Sequence, residues 1–174
     1  VGENHSHFKT ENDGRFLINT DTETLINGSF DVLSDSSSVV INIQEINIPD
    51  GIKHIESYAF SSYSINEDAS SSCWRLATLI SIPDSVESIG EYAFSYCDNL
   101  TNVTIVSLAE SVETIGNYSF YAMTSLPEIT LGSAITEIGE YAFGFCKGMT
   151  NIVLNQHLNT IGNYAFASCT GLKS

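Results

Sequence analysis

The chain has 174 residues, 43% of them hydrophobic, which is enough for one domain with a sizeable core and too apolar for general disorder. Six Lys and Arg stand against 21 Asp and Glu, giving a formal charge of −15. The surface is therefore acidic and lacks the cationic footprint that nucleic acid or an anionic membrane demands, and no apolar run approaches the ~20 residues of a membrane-spanning helix.

Residues 1–38 lie outside any repeat. Val1 to Asp13 reads as a loose polar tail; His5 and His7 have no acidic or cysteine partner at a fixed spacing, so no metal site is expected there. Phe16-Leu17-Ile18-Asn19 and Thr24-Leu25-Ile26-Asn27 flank the turn-rich Thr20 to Glu23, the pattern of a β-hairpin. A hairpin here would form an N-terminal β cap, shielding the first layer of the repeats that start at residue 39.

Residues 39–174 are periodic. The hexad Ile138-Gly139-Glu140-Tyr141-Ala142-Phe143 returns as Ile161-Gly162-Asn163-Tyr164-Ala165-Phe166, and earlier as Ile115 to Phe120, Ile89 to Phe94 and, more loosely, Ile55 to Phe60. Five copies at this spacing predict a solenoid of stacked layers. Ahead of each hexad, Ile46-x-Ile48, Ile80-x-Ile82, Val103-x-Ile105, Ile129-x-Leu131 and Ile152-x-Leu154 alternate as strands with one buried face. A return leg then begins at Ile52, Val86, Val112, Ile135 and Leu158. Tyr-Ala-Phe is expected in a short helical or 3₁₀ turn, and the glycine after Ile marks either a positive φ or a close approach. Asn99, Ser125, Gly148 and Gly171 precede the next apolar anchor and suit a left-handed turn.

Cys97, Cys146 and Cys169 fall three residues after the hexad phenylalanine, a slot that holds Met123 in another copy. A position accepting Cys or Met is expected to be a buried apolar site with free thiols. Residues 61–72 insert polar sequence containing Glu67 and Asp68; two neighbouring carboxylates are too few oxygens for calcium. At its end the chain stops where a further strand is due, which points to a continuing array or to self-association through an uncapped C-terminal end.

The run Ile82-Pro83-Asp84-Ser85-Val86-Glu87-Ser88-Ile89-Gly90-Glu91-Tyr92-Ala93-Phe94-Ser95-Tyr96-Cys97-Asp98-Asn99-Leu100 closely resembles the BspA-like leucine-rich repeat. The resemblance covers Ile46 to Leu172 and weakens only where the proline of Pro49 and Pro83 gives way to Val106, Gly132 and Asn155. It implies a leucine-rich repeat solenoid, a right-handed coil of short parallel strands, turns and short helices with a strand-lined concave face. It also implies an extracellular or cell-surface microbial protein, in a family associated with adhesion to host or extracellular-matrix proteins and to other cells.

On such a coil the outward strand residues are Glu45, Asn47, Ser81, Asn102, Thr104, Glu128, Thr130, Asn151, Val153 and Asn155. They make a polar, weakly acidic strip that either binds a protein or glycan or is simply solvated. Asn4, Asn27, Asn99, Asn102 and Asn117 open Asn-x-Ser/Thr triplets, which are glycan acceptors on a eukaryotic secretory route or else chance in a chain rich in these residues. An enzyme is not expected: Asp84, Glu87, Glu113 and Glu137 occupy rim and turn positions, His54 and His157 lie in distant layers, and no phosphate loop, metal motif or nucleophile elbow occurs. No catalytic residue, metal or cofactor is implied. The expected role is a non-enzymatic interaction module, with a structural self-assembling component of a larger array as the alternative.

Overall fold

A computed structural model of the chain describes residues 8–11, 16–27, 45–61, 79–97 and 111–173. β1 (Phe8–Glu11), β2 (Phe16–Asn19) and β3 (Thr24–Asn27) pair antiparallel in succession, so part of the stretch expected to be a loose tail is an outer strand. β4 (Glu45–Asn47) begins the repeats and is followed by β5 (His54–Ile55). Next come β6 (Leu79–Ser81), β7 (Ser88–Ile89) and β8 (Thr114–Ile115), then β9 (Glu128–Thr130), β10 (Glu137–Ile138), β11 (Asn151–Val153) and β12 (Thr160–Ile161). One eight-stranded sheet runs β1-β2-β3-β5-β7-β8-β10-β12, parallel from β3 onward; β4 with β6 and β9 with β11 form two separate parallel pairs.

The parallel register sets like against like. Leu25 faces Ile55, which faces Ile89, then Ile115, Ile138 and Ile161, and all but the last are buried. Behind this column the rings of Phe60, Phe94, Phe120, Phe143 and Phe166 stack with centroids 5.0, 5.3, 5.2 and 5.4 Å apart and planes within 10° of parallel. The first four are wholly buried, each contributing about 1.5–3 kcal/mol through lost contact with water and about 0.5–1.5 kcal/mol more per stacked pair. Ile52, Val86, Val112 and Ile135 complete the core from the return leg. The five hexads thus line up in columns, as a solenoid requires.

The hexad is a turn rather than the helix or 3₁₀ segment the sequence suggested, and no helix occurs among the described residues. The reason lies in where its backbone donors go. The N–H groups of Tyr58, Tyr92, Tyr118 and Tyr141 donate to carbonyls of the next layer (Glu91, Asn117, Glu140 and Asn163; 2.9–3.0 Å), and those of Phe60, Phe94, Phe120 and Phe143 do the same. Donors spent between layers cannot close helical rings within one. A β-turn forms instead, with Ala93 N–H on Gly90 O at 3.4 Å, and its third residue needs a positive φ. That residue is the tyrosine: Tyr58, Tyr92, Tyr118, Tyr141 and Tyr164 have φ between 50° and 63°.

The hexad glycines serve the close approach. Their φ values are not positive, and a Cβ on Gly90 would stand 2.5 Å from Ser57 N. Glu56 stands against β3, to whose Leu25 O its N–H donates at 2.8 Å, and β3 is still strand at Ile26 and Asn27, where the later layers have already left their strand. The expected left-handed turn at Ser125, Gly148 and Gly171 is also corrected. The positive φ values, 57–61°, fall three residues earlier, at Tyr96, Ala122, Phe145 and Ser168, whereas a Cβ on Gly148 would strike the Thr124 carbonyl. Asn99 lies outside the described residues.

Outside the phenylalanine column the five tyrosine rings form a second stack, with centroids 5.0, 4.7, 5.1 and 5.0 Å apart. A left-handed backbone costs a non-glycine residue about 1–2 kcal/mol, and a stacked pair returns about 0.5–1.5 kcal/mol. The two nearly cancel, so the tyrosine column adds little net stability.

Candidate binding face

The three-residue strands carry the expected strip. In β9, buried Ile129 separates exposed Glu128 from half-buried Thr130, because alternate side chains leave a strand on opposite faces. In β11, Asn151 and Val153 are exposed; the register sets Glu128 beside Asn151 and Thr130 beside Val153. At the other end β4 pairs in parallel with β6, Glu45 in register with Leu79 and exposed Asn47 in register with Ser81. Asn102 and Thr104, expected between these two pairs, lie outside the described residues.

These side chains differ in how far they are committed. Among the described residues, Asn47, Glu128, Thr130 and Asn151 have no side-chain hydrogen bond or ion pair within the chain, and all four are at least partly exposed. Asn155 is spent: its Nδ2 donates to Gly132 O at 2.6 Å and Ile135 O at 3.0 Å, and its Oδ1 accepts the His157 N–H at 2.7 Å. It holds the turn after the strand. Val153 and Leu154, each 47% exposed, add an apolar step at the end of the strip.

Asp84, Glu87, Glu113 and Glu137 are all exposed, and Glu87 and Glu113 stand in adjacent layers, the Glu113 N–H donating to Glu87 O at 2.9 Å. The His54 ring is within hydrogen-bond distance of Ser88 Oγ (2.9 Å), and the His157 ring of Ser133 O (3.0 Å). No group of three or more His, Cys, Asp and Glu placed to hold a metal occurs among the described residues, which exclude His5, His7, Glu67 and Asp68. Nor is any helix there long and apolar enough to cross a membrane. Of the glycan-acceptor candidates, Asn4, Asn99 and Asn102 lie outside the described residues and Asn27 ends β3. Asn117 is exposed, and its Oδ1 accepts the Glu140 N–H at 2.7 Å, tying two layers together.

The cysteine slot is a buried column of free thiols. Cys97, Cys146 and Cys169 each donate from Sγ to the phenylalanine carbonyl of the preceding layer, at 3.3, 3.1 and 3.0 Å. The hydrogen bond shared with Cys169, together with burial, pushes the Cys146 thiol far above its ordinary range, so it stays protonated and unreactive.

The tyrosine column is a surface feature that burial patterning in the sequence does not reveal. Its signal is a Tyr at the fourth hexad position of all five copies, out of phase with the buried Ile and Phe. Tyr58 is 55% and Tyr164 66% exposed.

A model of the BspA type leucine rich repeat region matches residues 18–68 and 63–174, in six copies. The match reaches upstream into the hairpin, where Leu25 already stands in the isoleucine column. No curated protein matches the sequence. Among solved structures, the pneumococcal vaccine antigen PcpA superposes with a TM-score of 0.70 at 22% identity, over 99% of this chain and 37% of that one. A leucine-rich repeat protein from Bacteroides ovatus ATCC 8483 gives 0.54 at 27% identity, over 75% of this chain and 36% of that one. The T. pallidum leucine rich repeat protein gives 0.50 at 14% identity, over 100% and 91%. The chain thus corresponds to little more than a third of the length of the first two.

Proposed function

The chain belongs to the BspA-type leucine-rich repeat family, and from that premise we propose that it is a non-enzymatic, adhesin-like module at the cell surface or in the extracellular space. It binds a host or extracellular-matrix protein, or a glycan, through the face of the three-residue strands, the concave face in a coil of this kind. Solenoids expose long continuous faces of this sort and use them for binding. The location rests on family analogy.

One observation carries the choice of face: Asn47, Glu128, Thr130 and Asn151 point outward with their polar atoms unspent among the described residues. Short side chains held by a sheet lose little conformational freedom on binding, and their donors and acceptors are already displayed in register. The test is the double variant Glu128→Lys/Asn151→Lys, assayed against immobilised matrix proteins and a glycan array. Capture lost with an unchanged melting temperature supports the face; capture retained at full strength by the folded variant overturns it.

A further inference from the structure

We infer that the tyrosine column, with the aromatic side chains beside it and the carboxylates of Glu91 and Glu140, forms a second binding face that takes an extended, arginine- or lysine-rich segment of a partner protein. This face is separate from the three-residue strands and is built from the hexad turns and the one or two residues that follow them.

Three observations lead there. The turn requires a left-handed residue, for which glycine is the least strained choice, yet all five described hexads place a tyrosine in it. Strained positions of this kind collect at functional surfaces, and stacking leaves the column nearly neutral for folding. The column is also widened: Tyr121 leans on Tyr118 and Tyr141 at 5.5 and 6.2 Å, and Phe145, 36% exposed, leans on Tyr121 at 5.4 Å. These tilted rings offer faces, whereas the stacked tyrosines offer edges and phenol oxygens.

Charge selects the occupant. Glu91 and Glu140 are exposed at the hexad position immediately before the tyrosine, and the Tyr118 phenol holds its proton more tightly through partial burial first, with the charges of Glu140 and, less, Glu91 adding to it. The face is therefore aromatic and anionic on a chain of charge −15. It repels nucleic acid and acidic peptides. A guanidinium can stack on the tilted rings and hydrogen-bond to carboxylates and phenols, with its aliphatic stem along the ring edges. Glu91 and Glu140 stand two layers apart, about 10 Å at ~4.8 Å per layer. A polyproline II segment repeats every three residues at about 3.1 Å each, which brings cations three apart onto that spacing.

The test uses the full chain and a labelled peptide of Arg-Pro-Pro repeats, with a Glu-Pro-Pro peptide of equal length as its mirror. The expected result is saturable binding of the basic peptide only, weakened about tenfold or more in Glu91→Gln/Glu140→Gln by loss of two charge-assisted contacts. The variant Glu113→Gln/Glu137→Gln removes the same charge elsewhere and should bind as the parent does. Thermal melts confirm that each variant is folded. Equal binding of both peptides, equal weakening by both double variants, or no binding by the parent overturns the proposal. So does binding abolished by Glu128→Lys/Asn151→Lys but untouched by Glu91→Gln/Glu140→Gln, which would place the peptide on the strand face.

Discussion

Gly116 lies so tightly against Gly90 that a Cβ on it would stand 2.7 Å from the Gly90 carbonyl carbon, with Ile89 O at 2.8 Å and Glu91 N at 2.9 Å. All three are backbone atoms and cannot rotate aside. Gly116→Ala must push two layers apart and strain the Gly116 N–H bond to Ile89 O, now 2.9 Å. We expect a loss of about 1–3 kcal/mol, as for other overpacked interiors, at about 2–4 °C of melting temperature per kcal/mol in a chain of this size. Glu56→Ala, at the corresponding exposed site beside β3, should stay within about 0.5 kcal/mol of the parent. Equal stability of the two variants in guanidinium melts would contradict this account of the repeated glycine.

Tyr118 separates strain from stacking. Its φ is 54°, and its ring stacks on Tyr92 and Tyr141. Tyr118→Ala loses the ring and keeps the left-handed strain, while Tyr118→Gly loses the ring and relieves it. The glycine variant should therefore be the more stable of the two by about 1 kcal/mol, despite glycine's greater unfolded-state freedom. An alanine variant as stable as the glycine one would show that the position is not strained.

The same physics decides which features the sequence reveals and which it hides. Burial columns are legible because Ile, Ala and Phe recur at fixed hexad positions and each must meet its own kind in the next layer. The local conformation of Tyr-Ala-Phe is not, because turn and helix use similar residues and only the destination of the tyrosine N–H, across the layer gap, decides between them. The glycine has two possible meanings, and its φ resolves them toward close approach. On the candidate face, alternation places Glu128, Asn151 and Val153 outward correctly, but Asn155 sits past the strand, where its amide closes a turn, and alternation has no bearing there.

Ser119 occupies the slot filled by Ala59, Ala93, Ala142 and Ala165 in the other layers. It is wholly buried, and its Oγ has no hydrogen-bond partner among the described residues. A buried hydroxyl without a partner costs about 1–3 kcal/mol. Ser119→Ala should accordingly raise stability by about 1 kcal/mol or more, and the reverse change, Ala142→Ser, should lower it by a similar amount, both read from denaturant midpoints. A destabilised Ser119→Ala would mean that the hydroxyl has a partner after all.

The tyrosine column should make the fold sensitive to alkali. Partial burial first, then neighbouring phenols and Glu91, raise Tyr92; partial burial, then Glu140 and the phenols of Tyr141 and Tyr121, raise Tyr118. The unfolded chain releases these protons from about pH 10 upward, while the folded chain retains them. In that range the unfolded state binds fewer protons than the native one, so stability falls as pH rises. Below about pH 10 both states are protonated and the contribution is fully present. A phenolate absorbance titration should therefore show part of the tyrosine signal delayed beyond the range of free tyrosine, with the delay shortened in Glu91→Gln/Glu140→Gln, where the like charge is gone. If every tyrosine of the folded chain titrated together in the free range, the phenols and carboxylates would not share one surface, and the anionic character assigned to the aromatic face would go with them.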